Sequence, residues 1–310
     1  MADDVLARVR ATGLLAAGAD VVVLLSGGRD SVCLLDVAVE LGCSARALHV
    51  NYGLRDEAGE DEAHCRALCE RLGVALAVHR PTRPDDAPGN LQAWARDVRY
   101  AAAAEVAGGD LVAVGHTASD QAETVLYRLA ASPGRRALLG MRPRSGHLVR
   151  PLLAVTREQT GAWCRARGLA WRDDVTNASD DFARGRVRHG LLAALEAVDA
   201  RAAANVVRTA ELLREEAEVL DVVVDTALAG RDRIALEHLT ALPPALARLV
   251  VRRLAEAATG GLCARAAARL ADILALGEDG ALDVGDGARA VVSGGVLRFE
   301  ATPPLPGSSA

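Results

Sequence analysis

The string VVVLLSGGRDSVCLL (21–35) constrains this chain more than any other segment. VVVLL reads as a buried strand, Ser26-Gly27-Gly28 as a tight turn, and the residues from about Asp30 onward as a helix. Two successive glycines let backbone N–H groups turn inward with no side chain in the way. The dipole of the following helix adds positive potential at the same spot. The loop therefore predicts a phosphate cradle, with the Ser26 and Ser31 hydroxyls as further donors. Asp30 would be repelled by phosphate, and its natural role there is to help hold Mg2+. The plainer alternative is an ordinary strand-to-helix turn with Ser and Asp as caps. The string is neither G-x-x-x-x-G-K-[ST] nor G-x-G-x-x-G, so nucleotide-hydrolase P-loops and Rossmann dinucleotide folds are set aside.

Further along, the same texture repeats. ARALHV (45–50), ALAVH (75–79) and DLVAVG (110–115) are β-like runs at roughly 30-residue spacing, with amphipathic segments at 30–41, 58–72 and 90–107 between strands. This predicts an α/β domain over 1–197, built on a parallel sheet covered on both faces. Ligands of such sheets bind at the carboxyl ends of the strands, here the loops 26–30, 51–57 and 115–120. Residues 198–228 read as a helical linker, and 229–303 as a smaller, mainly helical C-terminal domain. Within it, 240–276 holds helices, the first opening at Pro243-Pro244. ALDVGDGARAVVSGGVLRFE reads as short strands joined by Gly turns, and 304–310 as a frayed tail.

Composition narrows the chemistry. With 51% hydrophobic residues in 310, the chain can bury a core and is not disordered as a whole. All 36 basic residues are Arg, which excludes a Lys-dependent phosphate loop, a Schiff base and a Lys general base. Six cysteines in apolar contexts suggest reduced thiols in a cytoplasmic protein. No apolar run is long enough to span a membrane, and MADDVLARVRATG lacks the pattern of a signal peptide. His64, Cys65 and Cys69 share a helix face and read as packed residues in preference to a zinc site. GEDGALDVGDG (277–287) reads as turns in preference to a calcium loop.

SGGRDS resembles the S-G-G-x-D-S loop of the PP-loop ATP pyrophosphatases. These enzymes adenylate a carbonyl-type oxygen, release pyrophosphate, and let a nucleophile displace AMP. HVNYGLR (49–55), ARDVRY (95–100), GHTASDQAETVLYRL (115–129), RPLL (150–153) and DDVTNASDDFARGRVRHGLL (173–192) follow in order. Over 19–195 their order and spacing resemble the tRNA(Ile)-lysidine synthetases, in their short form. The resemblance implies ATP, Mg2+, L-lysine and an isoleucine tRNA with a CAU anticodon, no membrane, a homodimer, and a C-terminal domain that helps select the tRNA. It implies nucleotide binding by Ser26, Gly27, Gly28, Arg29, Asp30, Ser31, His49, His116 and Glu123. Asp30 and Asp120 would be the catalytic, metal-holding acids. Physically, Asp120 and Glu123 are three apart and share a helix face, though acids at a helix N-terminus also complement its dipole.

The chain departs from the family pattern at several positions. Ser119-Asp120 stands where two acids are usual, Tyr52 where a second His is usual, Arg184-Gly185 where Arg-Asn is usual, and ASPGRR (131–136) replaces a Gly/Ser-rich turn. Residues 128–188 carry 13 Arg against five acids, a local +8 in a chain of net charge −5. That concentration suits a polyanion held in one place. Arg135, Arg136, Arg142, Arg144, Arg184, Arg186 and Arg188, with Arg55, Arg96 and Arg99, are the expected tRNA contacts. With only three Trp, a folded RNA gripped through its backbone fits better than stacked single strands. Two other readings remain open: a tRNA thiolase on the same scaffold, against which stands the absence of any C-x-x-C, and a tRNA-binding protein with a degenerate ATP site.

Overall fold

The computed structural model describes residues 2–54, 58–83, 90–172 and 183–302. Its contacts divide the chain into one unit from Met1 to Leu213 and another from Arg214 to Ala310. The first unit alternates strand and helix: α1 (Ala2–Ala11), β1 (Asp20–Leu24), α2 (Arg29–Glu40), β2 (Ser44–Val50), α3 (Ala58–Leu72), β3 (Ala75–His79), α4 (Leu91–Ala107), β4 (Leu111–Ala113) and α5 (Ala118–Ala131). A short helix α6 (Arg135–Leu138) and a hairpin of β5 (Arg144–Ser145) and β6 (Leu148–Val149) follow. Next come α7 (Arg157–Ala166), α8 (Ala183–Arg186), a π-helical turn Val187–Leu192, α9 (Ala193–Val198) and α10 (Ala202–Leu228), within which the division falls.

The sheet runs β3-β2-β1-β4-β6-β5, and only the β5–β6 pairing is antiparallel. β1 is central, with apolar residues on both faces. Val21, Val23 and Leu25 join a core with Val32 and Leu35 of α2 and Trp163 and Cys164 of α7. Val22 and Leu24 join Ala102, Ala103 and Ala107 of α4 on the other side. A strand buried on both faces reads as a continuous apolar run, which is why VVVLL shows no alternation. β1 lies between β2 and β4, so the order of strands reverses there and opens a crevice beyond their carboxyl ends.

Helix starts follow local chemistry. Asn90 accepts the Ala93 N–H at 2.8 Å at the head of α4. Reciprocal capping boxes start α5 (Thr117 with Asp120) and α7 (Thr156 with Gln159). α2 differs, because Gly28 stands at its cap position and offers no side-chain cap. Its N-terminal N–H groups face the crevice end of β1 in the manner of an anion-binding helix start.

The second unit contains β7 (Arg233–Ala235), α11 (Leu236–Ala241), α12 (Pro244–Thr259), a 3-10 turn Ala266–Arg269, α13 (Leu270–Leu274), β8 (Gly280–Gly285), β9 (Ala288–Ser293) and β10 (Val296–Ala301). The strands form an antiparallel sheet β7-β10-β9-β8. Val250, Val251 and Leu254 of α12 pack with Val292, Leu297 and Phe299 of the sheet. Pro244 opens α12, and Gly260, with φ 68°, closes it. Among the described residues, no helix is long and apolar enough to cross a membrane. The tail 304–310 lies outside the described residues.

Candidate functional site

The loop between β1 and α2 is held by its own hydroxyls. Ser31 donates its hydroxyl to the Gly28 carbonyl at 2.8 Å and accepts the Ser26 N–H at 3.1 Å, while the Gly28 N–H donates to Ser26 Oγ at 3.3 Å. Gly27 has φ 84°, a conformation that favours glycine, and a Cβ there would crowd Cys65 Sγ at 3.3 Å. Its carbonyl accepts the Arg172 N–H at 3.0 Å. His49 is buried, its Nδ1 2.9 Å from the Leu25 carbonyl. A carbonyl only accepts, so Nδ1 carries the proton and His49 braces the strand end that leads into the loop.

Gly115, just past β4, packs against the same helix start. A Cβ there would stand 3.0 Å from the carbonyl carbon and oxygen of Asp30. Both are backbone atoms that cannot swing aside. Gly115→Ala is expected to destabilise the fold by about 1–3 kcal/mol, as overpacking does. Urea midpoints measure this, and an unchanged midpoint would show that the helix start yields freely.

Asp30 and Asp120 come together in the crevice. Thr160 of α7 donates its hydroxyl to Asp30 Oδ1, which Arg29 Nε approaches to 3.5 Å, and Arg157 Nε lies 3.6 Å from Oδ2. Arg157 Nη2 is also 3.9 Å from Asp120 Oδ1, so one guanidinium lies between the two carboxylates. Burial pushes the Asp30 carboxyl above its ordinary range and the Asp120 charge adds to this, against the pull of Thr160, Arg157 and Arg29. Asp120 Oδ2 meanwhile accepts the Thr117 N–H and hydroxyl, both at 2.8 Å. Asp120 is thus a helix cap and a crevice acid together. Two converging carboxylates, one of them desolvated, are an all-oxygen set suited to Mg2+. That ion takes one or two carboxylates and completes its shell with phosphates and waters. Among the described residues, no group of three or more His, Cys, Asp or Glu forms a larger cage.

Glu123 stands one turn along α5 and is buried; Arg188, in the π-helical turn, closes on both its oxygens. His116 sits half-buried at the head of the crevice, its N–H donating to the Val114 carbonyl at 2.9 Å. Among the other arginines singled out from the sequence, Arg96 and Arg99 lie over the Tyr100 ring at 5.1 and 5.4 Å. Arg135 Nη1 donates to the Leu213 carbonyl at 3.2 Å, and Arg144 Nε to the Gly146 carbonyl at 3.1 Å. Arg136 stands on α6, and Arg142 and Arg186 are exposed. Arg55 and the Arg184 side chain lie outside the described residues, as do 173–182 of the later motif.

Two positions that depart from the family pattern have structural partners. Ser119 Oγ accepts the Arg157 N–H at 3.4 Å, which ties the start of α7 to α5. The Tyr52 hydroxyl donates to the Ala95 carbonyl at 2.7 Å, and its ring meets Trp94 edge-on at 5.8 Å. Beside them, Glu62 anchors the crevice end of β2 by accepting from Asn51 at 3.1 Å and from Arg66 and Arg80. The Arg66 hydrogen bond above all holds its carboxyl at about 2, against the opposing effect of burial. A carboxyl whose folded value is depressed stabilises the protein above its unfolded value and loses that contribution as the pH falls. The urea-midpoint gap between wild type and Glu62→Gln should therefore be full near neutral pH and shrink between about pH 4.5 and about pH 2. A gap independent of pH would remove the charge from the account.

Residues 6–195 match the PP-loop domain family. The tRNA(Ile)-lysidine synthase of Gloeobacter violaceus is 36% identical over 259 residues, which cover 78% of this chain and 78% of that protein. The chain belongs to the tRNA(Ile)-lysidine synthase family. The synthase of Symbiobacterium thermophilum is 35% identical over 96% of this chain and 68% of that protein. That of Solibacter usitatus is 40% identical over 80% of this chain, which spans only 59% of its length. Among solved structures, the U34-tRNA thiolase NcsA from Methanococcus maripaludis, with its [4Fe-4S] cluster, superposes with a TM-score of 0.58 over 68% of this chain and 78% of its own, at 18% identity. That likeness shows a shared fold.

Family motifs led to Asp30 and Asp120 but not to the residues that hold them. Arg157 and Thr160 lie in a stretch the sequence marks only as Arg-rich. Their one local signal is Thr156-x-x-Gln159, which announces a helix start and puts both residues in its first turn.

Proposed function

We propose that this chain joins L-lysine to the wobble cytidine of an isoleucine tRNA bearing the CAU anticodon, using ATP. The observation that carries the reading is the convergence of Asp30 and Asp120 beside the Gly27-Gly28 loop, in a chain of this family. Phosphates of ATP lie on the loop and on the uncapped start of α2, which turns the α-phosphorus toward the cytosine O2. That oxygen attacks in line, the bond to pyrophosphate breaks, and an adenylated cytidine results. The ε-amine of lysine then attacks C2 and loses a proton, and AMP departs with the former O2.

Asp30 and Asp120 would hold Mg2+, which when bound offsets the negative charge of the phosphates. Thr160 and Arg157 fix the Asp30 carboxylate, and His49 braces the strand end before the loop. No side chain is needed as nucleophile, so the chain contributes positioning and charge compensation. The Arg-rich segment 128–188 holds the tRNA backbone, and the second unit helps to choose the tRNA. Mass spectrometry of the tRNA after incubation with ATP and L-lysine tests the reading. Gain of one lysine less one water on the anticodon cytidine is the expected result. An unmodified tRNA under conditions that consume ATP would refute the acceptor or the amine.

A further inference from the structure

Tyr127, at 41%, is the one exposed aromatic side chain among the described residues, and it has no task in the scheme above. It stands on α5 with Asp120 and Glu123, at positions i, i+3 and i+7, so the three share a helix face. A rise of about 1.5 Å per residue puts Tyr127 roughly 10 Å beyond Asp120 along that helix. With Ala130 and Ala131 it lines one side of a groove of about 400 Å³, within the range of small-molecule sites. Arg186, Val187 and Leu191 line the other side. The groove continues from the crevice. Val187 precedes Arg188, which closes on Glu123 one turn before Tyr127 and also feels the Asp120 and Asp30 charges.

Two features decide what the groove takes. Its surface is apolar and carries a flat ring, which suits a planar apolar group. Its charge is positive, because Arg186 is exposed at the rim and no acid is among the lining residues. Its two sides also come from the two ends of the Arg-rich stretch, where a polyanion is expected. A nucleotide combines both requirements, with a planar base and an anionic phosphate. RNA loops are read through bases splayed out of the stack onto aromatic or Arg planes. A cytidine drawn into the crevice leaves its neighbours unstacked, and a site about 10 Å from Asp120 lies beside it. We infer that Tyr127 stacks the base of a nucleotide flanking the reacting cytidine, with Arg186 on that nucleotide's phosphate, a role that rests on the tRNA reading above and deepens it. The contact fixes which nucleotide enters the crevice. The rest of the RNA is still held through its backbone, since one ring serves one base.

The test measures isoleucine-tRNA affinity without ATP or lysine, so it stands apart from the chemistry. Tyr127→Ala should weaken binding about tenfold and Tyr127→Phe less than about twofold, because stacking needs the ring and not the hydroxyl. Arg186→Gln should lower the salt dependence of binding by about one phosphate contact, whereas Tyr127→Ala should leave it unchanged. Two further tRNAs each lack one base, on the 5′ or the 3′ side of the target cytidine. Wild type should bind one of them about tenfold more weakly than the intact tRNA, and on that tRNA Tyr127→Ala should cost nothing more. Equal binding of all three tRNAs by wild type would overturn the inference, as would equal losses in Tyr127→Ala and Tyr127→Phe. So would a Tyr127→Ala protein that binds tRNA normally but sediments as a smaller species, which would assign the groove to a second copy of this chain. If wild type binds the tRNA but transfers no lysine, the lysine reading fails and these affinities still decide the groove. If wild type binds no tRNA, both fall.

Discussion

Asp30→Asn is expected to lower tRNA-dependent pyrophosphate release by about a thousandfold, while tRNA affinity stays within about twofold of wild type. The substitution keeps an acceptor for the Thr160 hydroxyl and removes only the charge. Its effect on stability has the opposite sign. Burial raises the Asp30 carboxyl above its ordinary range, so its ionised form opposes folding at neutral pH. Asp30→Asn should therefore melt at or above the wild-type temperature. A structural acid would behave otherwise, with lower stability and activity lost in proportion. Asp120→Asn should lose activity comparably, because it shares the crevice and the Arg157 contact. It still offers an oxygen to Thr117, whereas Asp120→Ala also removes the α5 cap, at a cost of about 1 kcal/mol. Equal loss of tRNA binding in the two asparagine variants would mean that these acids support the RNA interface and not the chemistry.

The second large effect is on stability. Arg188 meets both oxygens of Glu123, whose side chain is 4% exposed. Removing one partner of such a pair strands a charge away from water, at about 3–5 kcal/mol. Arg188→Met and Glu123→Gln should each lower the urea midpoint accordingly. Replacing both residues by Met should restore much of the loss, because two apolar chains of similar volume leave no charge unpaired. The pairing also bears on the proposed roles. A guanidinium closed on Glu123 from both sides has little left for phosphate, and Glu123 so neutralised has little left for a cation. Arg188→Met with normal stability and weakened tRNA binding would reverse that conclusion.

Long-range periodicity made the sheet legible. VVVLL announced β1 because a strand buried on both faces is apolar throughout, and ARALHV and ALAVH announced β2 and β3 by their apolar runs although both strands are partly exposed. The β5–β6 hairpin did not announce itself, since two-residue strands are too short to show a period. The loop and the acids were legible because their chemistry is local: glycines that turn, an acid at each helix start. Arg157 and Thr160 were not, because each acts across elements distant in sequence. Thr160 reaches Asp30 across 130 positions, and nothing in VTREQT names its partner. The same limit applies to the Arg-rich segment. Net charge pointed to a polyanion, but Arg157, Arg167, Arg172 and Arg188 meet carboxylates within the protein.

The most direct test of the central claim is pyrophosphate release from ATP before any lysine is added, with isoleucine tRNA and methionine tRNA compared, both bearing CAU. Release with the isoleucine tRNA alone is expected, followed by AMP release and a heavier tRNA once L-lysine is supplied. Release with neither tRNA would contradict an adenylating site at the Gly27-Gly28 loop. Release with both, and no lysine incorporated, would keep the ATP site and contradict the substrate.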